Sequence, residues 1–193
     1  MGNGEGGLAV VDPARGSVAS RVRLPGHPEG FQLDRHARRV FVNVPDARQI
    51  AVVDLGAGAQ VATWRVPGLH ANFPMALEDT DNLLATVFRH PARLVLLDAG
   101  SGTVRASLET CGDADDVFFD QKRSRVYVSC CQGMIDVLQR KASDYRGLGR
   151  VETASGARTS LFVPEPDRLF VAARAGFFGF GSDAAILVFQ PQP

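Results

Sequence analysis

The sequence predicts an all-β fold, a β-propeller of four-stranded antiparallel blades, on three observations. Val40-Phe41-Val42, Leu83-Leu84-Ala85, Val126-Tyr127-Val128 and Leu169-Phe170-Val171 stand 43 residues apart. A second apolar series occupies residues 8–12, 50–54 and 94–98, and continues at 134–138 and 185–189. Glycine, proline and aspartate bound these runs, and no segment sustains a helical period over three turns. Short runs of Val, Leu, Ile and Phe between turn residues read as strands. Four strands in roughly 40–45 residues is the repeat of a propeller blade.

Each period supplies its strands in a fixed order. The inner strand is 30–34, 74–78, 116–120 or 159–165, followed after a polar turn by the Val40 series. The Val52 series comes third. A more polar outer strand closes the unit at 19–24, 61–66, 104–108 or 145–151. Asp12 to Gly16, Asp54 to Gly58 and Asp98 to Gly102 separate strands three and four, with glycine where a tight hairpin demands positive φ.

The 193 residues suffice for one or two domains, and a hydrophobic content of 45% sets the chain apart from disordered sequences. Its 21 basic and 21 acidic residues cancel, so no basic stripe marks a nucleic-acid partner. No apolar run approaches the roughly 20 residues of a membrane span. Residues 1–7 lack the charged and apolar regions of a signal peptide.

Gly-His-Pro-Glu-Gly-Phe at 26–31, Arg39 to Asn43 and Ile50 to Asp54 resemble the YVTN-repeat, YncE-like β-propellers. The resemblance covers essentially the whole chain. It implies a seven-bladed, periplasmic or secreted parent and no particular reaction, since blades rather than a catalytic motif define that family. Residues 25–66, 67–108 and 109–151 make complete blades, 7–24 a half blade and 152–193 a three-stranded last blade. About 4.5 blades are therefore present, and Asn3 to Gly7 reads as an internal turn. The expectation is a fragment truncated at Met1, with exposed blade edges open to self-association. A closed four-bladed ring with residues 19–24 completing the last blade, and closure by two chains, are the alternatives.

Function on a propeller gathers on the rim shared by the inter-blade connections and the loops joining strands two and three. The connections carry His27, Glu29, His70, Asn72, Cys111, Asp113, Asp115 and Arg158. The second set carries Asn43, Asp46, Arg89, His90, Cys130, Cys131 and Arg174. His27, His70 and His90 are residue types for a metal or haem, but His27 and His90 each precede proline and no metal spacing is present, so turns explain them. No metal site and no cofactor are predicted. A divalent cation held by Glu29, Asp113, Asp115 and Asp116, as in lactonase-type propellers, is the open alternative. A Cys111–Cys130 disulfide, with Cys131 spare, competes with three buried thiols. Phe177, Phe178 and Phe180 sit in a lengthened loop, as a lid or as packing, and Trp64 packs between blades. The expected function is a non-enzymatic binding scaffold for a small molecule or protein. A metal-dependent hydrolase is second, and a haem- or quinone-associated redox propeller third.

Overall fold

A computed structural model describes residues 6–141, 144–176 and 183–193. The turn expected at Asn3 to Glu5 and the three phenylalanines at 177, 178 and 180 lie outside the described residues. Among the described residues seventeen strands form five antiparallel sheets in chain order. Sheet I pairs β1 (Gly6–Asp12) with β2 (Ser17–Leu24). Sheet II contains β3 (Phe31–Asp34), β4 (Arg39–Val44), β5 (Gln49–Asp54) and β6 (Ala59–Trp64). Sheet III contains β7 (His70–Glu78), β8 (Leu83–His90), β9 (Ala92–Asp98) and β10 (Val104–Glu109). Sheet IV contains β11 (Ala114–Asp120), β12 (Arg125–Cys130), β13 (Met134–Lys141) and β14 (Asp144–Glu152). Sheet V contains β15 (Ser160–Val163), β16 (Arg168–Ala173) and β17 (Ala185–Phe189). Among the described residues no helix is long and apolar enough to cross a membrane.

One sequence expectation is corrected, and one alternative does not hold. Gly6 and Gly7 belong to β1, opposite Leu24 and Arg23, and are not part of a turn. The segment 19–24 pairs with β1 and so does not complete the last sheet. That pairing gives residues 7–12 the role a closed four-bladed ring would deny them.

Strands two and three of the central sheets are apolar on both faces, because each face meets a different neighbour. In β4, Val40, Val42 and Val44 pack with Val22 and Leu24 of sheet I, whereas Phe41 packs with Leu84 and Leu97 of sheet III. In β8, Leu84 and Phe88 face sheet II while Ala85 and Val87 face sheet IV. Beyond sheet IV, Tyr127 and Ile135 meet Phe162, Leu169 and Val171 of sheet V. Alternate side chains point to opposite faces of a strand, so two buried faces require an unbroken apolar run. That requirement explains the triplets seen in the sequence. Outer strands alternate instead, and β14 is exposed along most of its length.

Trp64 occupies the space between sheets II and III, its ring 5.3 Å from that of Phe41. Gly102, at φ +75°, makes room for it: a Cβ there would stand 2.4 Å from the indole. Inner strands approach equally closely, since the Gly30 N–H donates to the Phe73 carbonyl at 3.0 Å.

At the far ends of the inner strands, Asp34, Glu78 and Asp120 accept backbone N–H groups of the hairpins that follow. Arg38, Asn82 and Ser124 close those three hairpins, and Asp167 the equivalent one between β15 and β16, in the left-handed region at φ between 51° and 57°. Arg123 ties sheets IV and V together there. Its guanidinium donates to Asp120 at 3.0 Å, to Asp167 at 2.6 and 2.7 Å and to the Pro191 carbonyl at 2.9 Å. Arg123, then Lys122, hold the Asp167 carboxyl well below its ordinary value.

Phe41→Ala removes a fully buried ring. It is expected to cost about 3–5 kcal/mol in urea denaturation followed by circular dichroism. Acid titration adds a second expectation. Arg105 and Ser101 lower Asp98 from 3.8 to about 2, and Asp167 is lowered as well. A depressed carboxyl stabilises fully above its unfolded value, and the gain is lost as pH falls through the folded value. Stability should therefore decline between about pH 4 and about pH 2, less steeply in Asp167→Asn, as measured by denaturation at stepped pH.

Candidate functional site

The inner strands of sheets II to V surround a concave space of about 940 Å³. Phe31, Phe73, Phe118 and Phe162 line it together with Glu29, Asp115 and Asp116. At one rim the connections between sheets meet the loops joining strands two and three. The Glu29 N–H donates to the Asn43 carbonyl at 2.9 Å, and Cys131 donates likewise to Asp113 at 3.0 Å.

Four charged side chains cross that rim. Arg89 comes from the end of β8, Asp113 and Asp115 from the start of sheet IV, and Arg158 from the connection to sheet V. Arg89 meets Asp113 at 2.9 Å, contacts Asp115 and donates to the Ala114 carbonyl at 3.0 and 3.1 Å. Arg158 binds the same two carboxylates at 3.1 and 2.7 Å. The Arg89 guanidinium also lies 3.8 Å from the centre of the Phe73 ring, a cation–π geometry. Asp115 foremost, then Asp113, raise the Arg158 pKa, and Cys131 acts in the same direction. Two of the four carboxylates that the sequence offers to a cation, Asp113 and Asp115, are thus each met by both guanidinium groups.

Asp116, next along β11, differs. Burial raises its pKa, aided by the charge of Asp115 and opposed by the Ser160 N–H at 2.6 Å. Glu29 stands apart on the exposed connection, 3.9 Å from His27, whose Nδ1 lies 2.8 Å from the Pro28 carbonyl. The described residues contain no group of three or more His, Cys, Asp or Glu arranged to hold a metal ion.

His70 and Asn72 lie on β7 rather than on a connection, because that strand begins four residues earlier than the predicted 74. A bulge between Asn72 and Met75, with Ala71 at φ +60°, carries the pairing past Pro74. His70 stands opposite His90, their rings 6.3 Å apart, and both are exposed. Asn72 is fully buried, with its amide donated to Asn43 Oδ1 at 2.6 Å and to the Gln49 carbonyl at 3.0 Å. Through that amide it links sheets II and III, while its Oδ1 has no hydrogen-bond partner among the described residues. Asn43 extends the link to the Phe73 and Pro74 carbonyls and to Thr86. Arg174 reaches the connection before sheet V, where a Cβ on Gly156 would stand 2.6 Å from its guanidinium. Asp46 belongs to the single helical turn Pro45–Ala47.

Cys111 and Cys130 form a disulfide across the edge of sheet IV, with Cα atoms 5.9 Å apart, and Cys131 is free. Three buried thiols are therefore not what the chain contains. Phe73 was not singled out in the sequence. Its position one residue before the predicted inner strand 74–78 was the available signal.

No family model and no curated protein matches the sequence. Solved structures do match. Hydrazine synthase of Kuenenia stuttgartiensis aligns with a TM-score of 0.81 at 11% identity, over 96% of this chain and 57% of that one. A chain of a mitotic checkpoint complex aligns with a TM-score of 0.71 at 12% identity, over 81% of this chain and 49% of that one. Both are β-propellers. The fold is a β-propeller. Identities this low show fold alone, and the chain spans about half the length of the structures it matches. Sheets I to V are its blades.

The bridge encloses a 19-residue separation. A loop of that size stabilises by about 3 kcal/mol through restriction of the unfolded chain. Reduction with dithiothreitol should lower the unfolding midpoint, and Cys111→Ala with Cys130→Ala should reproduce the shift and abolish its sensitivity to reductant.

Proposed function

We propose that this chain is a non-enzymatic binding propeller whose concave inner surface and rim engage a small molecule or a protein partner. The observation that carries this reading is the space of about 940 Å³ bounded by the inner strands of four consecutive blades, where aromatic rings stand beside carboxylates. Pockets that mix apolar walls with a few placed polar groups are the usual form of a ligand site. The charged groups at its mouth support binding over chemistry. Arg89 and Arg158 spend their donors on Asp113 and Asp115, and Asp116 accepts from Ser160, so these groups brace the rim. A general base needs an unencumbered proton acceptor within reach of substrate. The Cys111–Cys130 bridge supports folding in an oxidising, extracytoplasmic compartment.

Differential scanning fluorimetry against a small-molecule and peptide library tests the reading. A compound that raises the unfolding midpoint of the wild type should bind about tenfold more weakly to Asp116→Asn and to Phe31→Ala, a loss of about 1.4 kcal/mol each. It should be recovered chemically unchanged by mass spectrometry. Conversion of the bound compound, or affinity indifferent to both substitutions, would contradict the proposal.

A further inference from the structure

The open end of the β7–β8 hairpin brings two imidazoles together at the rim of blade III. His70 opens β7 and His90 closes β8, and the two stand directly opposite in the antiparallel ladder. Residues so paired project from one face, with Cβ atoms about 4.5–5.5 Å apart. Here the ring centroids are 6.3 Å apart, at an interplanar angle of 45°. Two residues further in, Asn72 pairs with Phe88, and both are buried. Asn72 is tied in turn to Asn43 and to the Gln49 carbonyl. The backbone beneath the histidines is therefore fixed by the core, while the rings stand in solvent and are free to turn.

No protein group competes for the ring nitrogens. Neither imidazole forms a hydrogen bond or an ion pair among the described residues. The other two histidines differ: His27 holds its Nδ1 2.8 Å from the Pro28 carbonyl, and His36 sits in the exposed turn between β3 and β4. Arg89, next to His90 in the chain, turns its guanidinium to Asp113 and Asp115, so its charge is met there. A metal held by imidazole lies about 2.0–2.1 Å from the nitrogen and so about 3.2 Å from the ring centroid. Centroids 6.3 Å apart can therefore flank a single ion. A small rotation of the two exposed rings closes the nitrogen–metal–nitrogen angle from nearly straight toward tetrahedral.

We propose that His70 and His90 chelate one divalent transition-metal ion of the Zn²⁺, Ni²⁺ and Cu²⁺ class at the rim of blade III. The donors select the ion: these metals accept imidazole, whereas Ca²⁺ and Mg²⁺ take oxygen ligands. Cu²⁺ binds tightest of the three. With two protein ligands, the remaining coordination positions are open to water or to a group on an incoming ligand. The inner cavity includes neither histidine in its lining, so this site stands apart from the binding surface proposed above.

Isothermal titration calorimetry of the full chain with Ni²⁺ tests the site, together with long-range proton–nitrogen correlation of the imidazoles during titration with Zn²⁺. One ion per chain is expected, with a dissociation constant in the micromolar range. The nitrogen resonances of His70 and His90 should move together while those of His27 and His36 stay in place. His70→Gln and His90→Gln should each weaken Ni²⁺ at least about tenfold, and the double substitution little further, because one remaining imidazole does not chelate. His36→Gln should bind as the wild type does. Both paired histidines are exposed, so circular dichroism of their variants should match the wild type. Ni²⁺ binding that survives the double substitution would overturn the proposal, because the ion would then sit elsewhere. One ion per two chains, which marks a bridge between copies, would overturn it too. So would displacement of the ion by equimolar Ca²⁺, or absence of binding at millimolar concentration.

Discussion

Every layer of this structure rests on one constraint: the middle two strands of a blade are apolar on both faces, so no blade can fold in isolation. A half-polar sheet finds its stable state by burying one face and wetting the other. Val40, Val42 and Val44 on one side of β4, and Phe41 on the other, leave no such option. The chain must place a sheet on each side, and those sheets inherit the same demand. Stacking in series follows, and sheet twist then turns the stack about an axis. The concave inner surface is a geometric consequence of that fanning.

Many of the polar links lie at the inner strands and the two rims, while Asp136 on β13 is buried among Thr110, Cys111 and Arg150. Several join residues about one repeat apart. Asn43 meets Thr86, Gln32 meets the Met75 carbonyl, Gln121 meets Glu78 and Ser160 meets Asp116, at separations of 43 or 44 residues. Arg123 with Asp167, and Arg158 with Asp113, repeat the pattern at 44 and 45. Equivalent positions of successive blades are neighbours in space, so a side chain of modest length can reach across. The rim is therefore stiffened by the same periodicity that builds the core. Arg89 and Arg158, anchored in different blades, hold Asp113 and Asp115 against their mutual repulsion and fix the mouth of the inner cavity.

The sequence disclosed the blades because two-sided burial writes itself as unbroken apolar runs, and because Gly16, Gly58 and Gly102 punctuate them. It offered a Cys111–Cys130 bridge, beside the competing reading of three buried thiols, because antiparallel pairing about the Asp120 turn brings both ends of the hairpin to one rim. The charge lattice was not legible. Arg89 lies 24 residues before Asp113 and Arg158 45 after it, and only a structure shows which guanidinium meets which carboxylate. The placement of Asn72 on a strand was hidden for a related reason. A bulge moved the start of β7 upstream of Pro74, and a residue expected at the rim became a buried link. His70 and His90 face each other across β7 and β8, a pairing that the sequence reading did not single out.

Methyl-resolved nuclear Overhauser spectroscopy tests the stacking most directly. Neighbouring residues of one strand should report on opposite blades: Leu84 should show contacts to Ile50 and Val52 of blade II, while Val87 shows contacts to Val117 and Val128 of blade IV. Contacts from both residues to a single partner sheet, or solvent exposure of either, would contradict the two-sided burial from which the rest of the structure follows.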